Sequence, residues 1–123
     1  MLWALWFKFS AVFGALGVIL GAFAAHGLKG RLSPESMSIF ETAVKYQMYH
    51  AFALIGVGVL AMRVESTSIK LAGIFFILGT IIFSGSLYLL VATDTKWLGA
   101  ITPIGGLALI LGWVFVYVAV FSL

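Results

Sequence analysis

Four stretches of this chain carry no charged side chain at all: residues 9–25, 46–62, 71–93 and 97–123. A helix rises about 1.5 Å per residue, so roughly 20 apolar residues cross the ~30 Å hydrocarbon core of a bilayer. The last two stretches meet that length outright. The first lengthens when Lys8 snorkels to the interface and Leu2, Trp3, Leu5 and Trp6 prolong the apolar run. With 63% hydrophobic and only 9% charged residues, the chain falls far short of the roughly 25% charge of soluble domains. In water it would expose large apolar patches and aggregate. The expected fold is all-α: a polytopic integral membrane protein forming one four-helix transmembrane bundle. Its helices are expected over about 5–26, 34–62, 68–92 and 97–121.

The second helix reads in most detail. Ser33-Pro34 is a helix-start signature, because proline at the first helical position loses no hydrogen bond and serine caps the free amides. From there Met37, Phe40, Val44, Met48 and Ala51 recur at helical spacing, while Glu41 and Lys45 stand in the favourable i,i+4 order. One continuous helix is expected, amphipathic at its start and membrane-spanning at its end. A separate surface helix bending near Tyr49-His50 is the alternative, although no helix breaker lies there. Glu65-Ser66-Thr67-Ser68 offers caps for the third helix, and Thr93-Asp94-Thr95-Lys96 separates the third from the fourth. Thr102-Pro103 either starts the fourth helix or kinks it, with Gly105-Gly106 weakening the helical signal directly afterwards.

The N-terminal run admits a second reading. One lysine, an apolar stretch and Ala22-Phe23-Ala24 resemble a secretory signal peptide with its small-residue cleavage site. The length of the run and its Gly14, Gly17 and Gly21 favour a retained helix, since Gly17 and Gly21 form a GxxxG packing motif. Gly17, Gly21, Ala108 and Gly112 are expected to allow close helix approach. Four spans put both termini on one side of the membrane. That side holds Lys8, Arg63 and Lys70, and the other holds Lys29, Arg31, Lys45 and Lys96. The balance is nearly even, and both termini are read as inside.

Polar groups within lipid are costly, so they mark where function is to be sought. Threading the helices up and down gathers His26, Tyr46, Gln47, His50, Ser84, Ser86, Tyr88 and Thr102 toward the side opposite the termini. Gln47 and His50 share a helix face, and Thr80, Ser84 and Tyr88 form a hydroxyl stripe at four-residue steps. The plainest role of these groups is interhelical hydrogen bonding, worth about 0.6 kcal/mol per bond in membrane proteins.

Sharper chemistries lack parts. Two histidines, with Glu41 as a third candidate, are a thin ligand set for a metal. A hydrolase on Ser84 or Ser86 with His50 has no carboxylate in the membrane to orient the histidine, and no GxSxG elbow. A proton-coupled exporter would need an intramembrane carboxylate, and the charge-free spans hold none. The chain has no cysteine, which removes disulfides and thiolate chemistry. Its net charge of +3 comes from scattered residues, so no basic patch for nucleic acid exists.

Four segments carry a resemblance. Gly21-Ala22-Phe23-Ala24-Ala25-His26-Gly27-Leu28, Thr42-Ala43-Val44-Lys45-Tyr46-Gln47-Met48-Tyr49-His50, Phe83-Ser84-Gly85-Ser86-Leu87-Tyr88 and Ile101-Thr102-Pro103-Ile104-Gly105-Gly106 occur in that order. Together they resemble the small membrane-protein family catalogued as domain of unknown function 423, related to transmembrane protein 256. The resemblance covers nearly the whole chain. Ala24 departs from it, where the family more often shows glycine. What it implies is a several-helix membrane protein, here of a bacterial cytoplasmic membrane, with no catalytic or binding residues to transfer.

The expected function is non-catalytic, as an accessory or scaffold subunit or a lipid-binding module, with no cofactor. Membrane lipids and further copies of the chain are the expected partners. The alternative is a small channel or transporter component, in which His50 is the only candidate proton carrier.

Overall fold

Helix accounts for nearly all of residues 1–121, which the computed structural model describes. The elements are α1 (Leu2–Phe23), α2 (Pro34–Arg63), α3 (Thr67–Thr93) and α4 (Thr102–Val120). A π-helical turn, Ala24–Leu28, prolongs α1, and a 3-10 turn, Lys96–Ala100, precedes α4. Three of these helices are long and apolar enough to cross a membrane: Leu2–Leu28, Thr67–Thr93 and Lys96–Val120. α2 has 30 residues, about 45 Å at the usual rise, but Tyr46, Gln47, Tyr49 and His50 lower its hydropathy. Its position explains why it tolerates them. α2 lies between α1 and α3, so its Gln47 and His50 face protein rather than lipid, while Tyr46 and Tyr49 are exposed.

Local chemistry sets the ends. Ser33 Oγ accepts from the Ser36 amide at 3.1 Å, with Pro34 in the first turn, and α2 then runs unbroken to Arg63. Ser66 caps α3 in the same way through the Ile69 amide, 3.2 Å away. The α1–α2 connection turns at Gly30, whose φ of +81° lies in the left-handed region that glycine enters without steric cost. Regular α-helix begins at Thr102 in the fourth segment. Lys96–Ala100, one residue upstream, wind more tightly, and Pro103 takes a first-turn position, where its missing amide costs nothing.

Packing depends on small residues. The α3–α4 seam is antiparallel, pairing Phe76 with Gly112, Gly79 with Leu109, and Phe83 with Gly105. A Cβ on Gly105 would collide with the Phe83 backbone, and one on Gly79 would stand 2.9 Å from the Leu109 amide nitrogen. Backbone therefore lies on backbone, which is how helices gain dispersion energy where lipid removes any hydrophobic drive to associate. Along α1–α2, Phe7 covers Gly58 and Met48 fills the space over Gly17. Gly21 meets only Val44, at an ordinary 3.4 Å, and Ala108 is half-buried.

α1 and α3 run parallel and meet through the fully buried Trp6, whose indole lies on Gly73. Large apolar side chains such as Val12, Val18, Ile19, Leu107 and Ile110 face outward. In water they would be a liability, and in a bilayer they meet acyl chains.

Candidate functional site

The polar side chains of the interior reach across helices rather than along them. Gln47 is 4% exposed and joins three helices. Its Nε2 donates to the Phe13 carbonyl of α1 at 2.8 Å, and its Oε1 accepts from the Tyr88 hydroxyl of α3 at 2.7 Å. The partners assign the amide, because a carbonyl can only accept. Ser84 Oγ donates to the Ala43 carbonyl and Ser10 Oγ to the Ala51 carbonyl, each at 2.7 Å. These bonds tie α3 and α1 to successive turns of α2. A separate unit joins α3 to α4, where the Ser86 and Thr102 hydroxyls lie 2.6 Å apart, each beside a carbonyl of its own segment, Phe83 and Leu98.

His50 forms a third unit. Its Nδ1 lies 2.7 Å from the Tyr46 carbonyl, so that nitrogen carries the proton. Its Nε2 accepts from the Trp113 indole of α4 at 3.1 Å. The ring is thus held as one neutral tautomer, with Phe76 5.4 Å and Trp113 5.9 Å away between ring centres. A migrating proton would have to displace the indole first.

Of the residues singled out in the sequence, Gln47, Ser84 and Tyr88 come together, Ser86 meets Thr102, and His50 stands apart from both groups. Tyr46 contributes its carbonyl, while its ring is 39% exposed and lies on Phe83 with ring centres 4.8 Å apart. His26 sits exposed on the π-helical turn, where the Phe23 ring folds over Gly27. Trp113 and Ser10 were not among the site residues to which the sequence pointed. An indole near the middle of a span needs an acceptor, and that was the available signal for Trp113. A serine within a span can always bond within its own helix, so Ser10 gave none. Among the described residues, no group of three or more His, Asp or Glu side chains comes together.

Above the Trp6–Gly73 contact, α1 and α3 separate and leave a groove of about 270 Å³ over α2. Phe13, Leu16 and Leu20 form its α1 wall, and Ile81 and Gly85 its α3 wall. Gln47, Thr80, Ser84 and Tyr88 line its inner side. Leu16 and Ile81 are 47% and 52% exposed, so the groove opens sideways into the bilayer. Gly85 has open space where a Cβ would stand. Two larger clefts, about 550 and 410 Å³, lie at opposite ends of the bundle among charged turn residues such as Arg63, Glu65, Glu35 and Lys96. The α1–α3 groove is set within the apolar spans.

A family model described as "Protein of unknown function (DUF423)" matches residues 20–106. The chain is 47% identical over 119 residues to a UPF0382 membrane protein of Staphylococcus haemolyticus, covering 94% of this chain and 97% of that one. It is 44% identical over 110 residues to the UPF0382 membrane protein YwdK of Bacillus subtilis, covering 89% of each. No solved structure matches. The chain belongs to the DUF423 family and is an integral membrane protein.

Proposed function

We propose that this member of the DUF423 family is a non-catalytic lipid-binding protein, whose α1–α3 groove seats the apolar chain of a membrane lipid in the leaflet opposite the termini. The groove itself carries this reading. It spans Phe13 to Leu20 on one wall, roughly 10 Å of helix, has apolar rims, and opens where lipid chains already are. Ordinary ligand pockets measure about 300–1,000 Å³, so about 270 Å³ suits a segment of chain better than a bulky polar substrate.

The hydrogen-bond pattern supports a non-catalytic role. Ser84 and Ser86 are both engaged with oxygen acceptors, and neither bonds His50. His50 in turn has both ring nitrogens occupied, which weighs against its carrying protons in a channel or transporter.

Gly85→Leu tests the reading directly, because its side chain would enter open space in the groove without meeting other atoms near the backbone. Native mass spectrometry of protein released from mild detergent is expected to show lipid adducts on the wild type. They should be reduced in the variant at unchanged thermal stability. Identical adducts on both proteins would refute the groove as a lipid site.

A further inference from the structure

One polar group on the inner side of the groove has no partner. Thr80 is 3% exposed, and its hydroxyl oxygen is buried without a hydrogen bond. Threonine within a helix commonly bonds the carbonyl one turn back, and here that outlet is not taken. The other polar groups beside it are engaged: Gln47 with Phe13 and Tyr88, and Ser84 with Ala43. A threonine side chain has two accessible χ1 rotamers in a helix. Turning between them exchanges methyl and hydroxyl at the groove wall without moving the backbone.

Depth narrows what such a hydroxyl can serve. The charge-free run 71–93 has its middle at residue 82, about 3 Å along the helix from Thr80. The hydroxyl therefore lies near the bilayer centre. Phospholipid ester carbonyls stay at the interface, about 15 Å away. A charged group at that depth is costly.

We infer that the groove's preferred occupant is a neutral, membrane-dissolved carbonyl compound of the isoprenoid quinone class, with a carbonyl oxygen accepting from Thr80. The inference rests on the groove reading and adds the ligand's chemistry. A quinone ring is uncharged, dissolves in hydrocarbon, and brings an acceptor to the depth of the unpartnered Thr80 hydroxyl. The apolar walls at Phe13, Leu16 and Ile81 suit the ring and its isoprenoid tail.

The test uses the full chain in mild detergent, titrated with a naphthoquinone bearing one isoprenoid unit and separately with palmitoyl-oleoyl phosphatidylglycerol. Wild type, Thr80→Ser, Thr80→Val and Gly85→Leu are compared by native mass spectrometry, with thermal unfolding as the folding control. Thr80→Val keeps the shape and removes the donor. It is expected to weaken quinone binding about three- to tenfold, the usual worth of one neutral hydrogen bond. Phosphatidylglycerol binding should be unchanged, and Thr80→Ser should retain the quinone. Equal quinone affinity in wild type and Thr80→Val would overturn the inference. The groove reading would then survive if Gly85→Leu still displaced phosphatidylglycerol. Should Gly85→Leu displace neither ligand, both readings fall.

Discussion

Removing Gln47 should destabilise the bundle in a way that removing its partner partly repairs. Gln47→Leu deletes two interhelical bonds, at 2.8 and 2.7 Å. At about 0.6 kcal/mol each in a membrane protein, that is roughly 1.2 kcal/mol. The Phe13 carbonyl keeps its own helical bond, but the half-buried Tyr88 hydroxyl is left without its acceptor. An orphaned buried hydroxyl adds about 1 kcal/mol, which brings the total near 2 kcal/mol. Tyr88→Phe alone loses one bond and strands the Gln47 Oε1, for about 1.5 kcal/mol on the same grounds. The double variant loses both bonds and strands nothing, so it should cost only about 1.2 kcal/mol. The pair is then non-additive by about 2 kcal/mol, within the range for residues in direct contact. Reversible unfolding in mixed micelles, followed by circular dichroism, reads all four proteins under one condition. Costs that simply add would refute the reasoning, because they would mean that the orphaned groups find new partners.

The helix seams make further expectations. Gly105→Ala should destabilise by about 2 kcal/mol or more, since its Cβ collides with the Phe83 backbone. Gly56→Ala, which meets no atom within 4 Å, should be neutral or slightly stabilising in the same unfolding assay. Trp113→Phe should cost about 1 kcal/mol by taking the donor from His50 Nε2. Nitrogen NMR should still find the proton on Nδ1, and a change of tautomer would remove the assignment made from the Tyr46 carbonyl. Because the chain has no cysteine, single-cysteine labelling reads its orientation cleanly. With both termini inside, Lys29→Cys should react with an impermeant maleimide from outside, and Glu65→Cys only after the membrane is opened; the reverse pattern would invert the assignment.

Much of the candidate site was legible as a set of residues but not as a set of partnerships. Gln47, Ser84 and Tyr88 stand out in the sequence because polar groups are rare in such spans. Their acceptors do not stand out: Phe13, Ala43 and Ala51 contribute backbone carbonyls, and every residue has one. His26 carried the same chemical signal as His50, yet the π-helical turn leaves it exposed. Gly112 was readable as a packing residue. Gly79 and Gly105 became so only once α4 was laid against α3, because a glycine's role depends on what stands opposite it.

The sequence by itself determined the solvent and the secondary structure. Runs without charge leave a chain no stable place but lipid, and lipid obliges every backbone group to bond within a helix. Tertiary structure alone decided which helices touch. It set α2 between α1 and α3, so that the least apolar helix could turn its Gln47 and His50 toward protein. It also parted α1 from α3 above Trp6, opening the groove and leaving Thr80 without a partner. In lipid every apolar face is equally well solvated, so the hydrophobic pattern cannot choose neighbours. Close backbone approach at glycines and a few cross-helix hydrogen bonds make that choice.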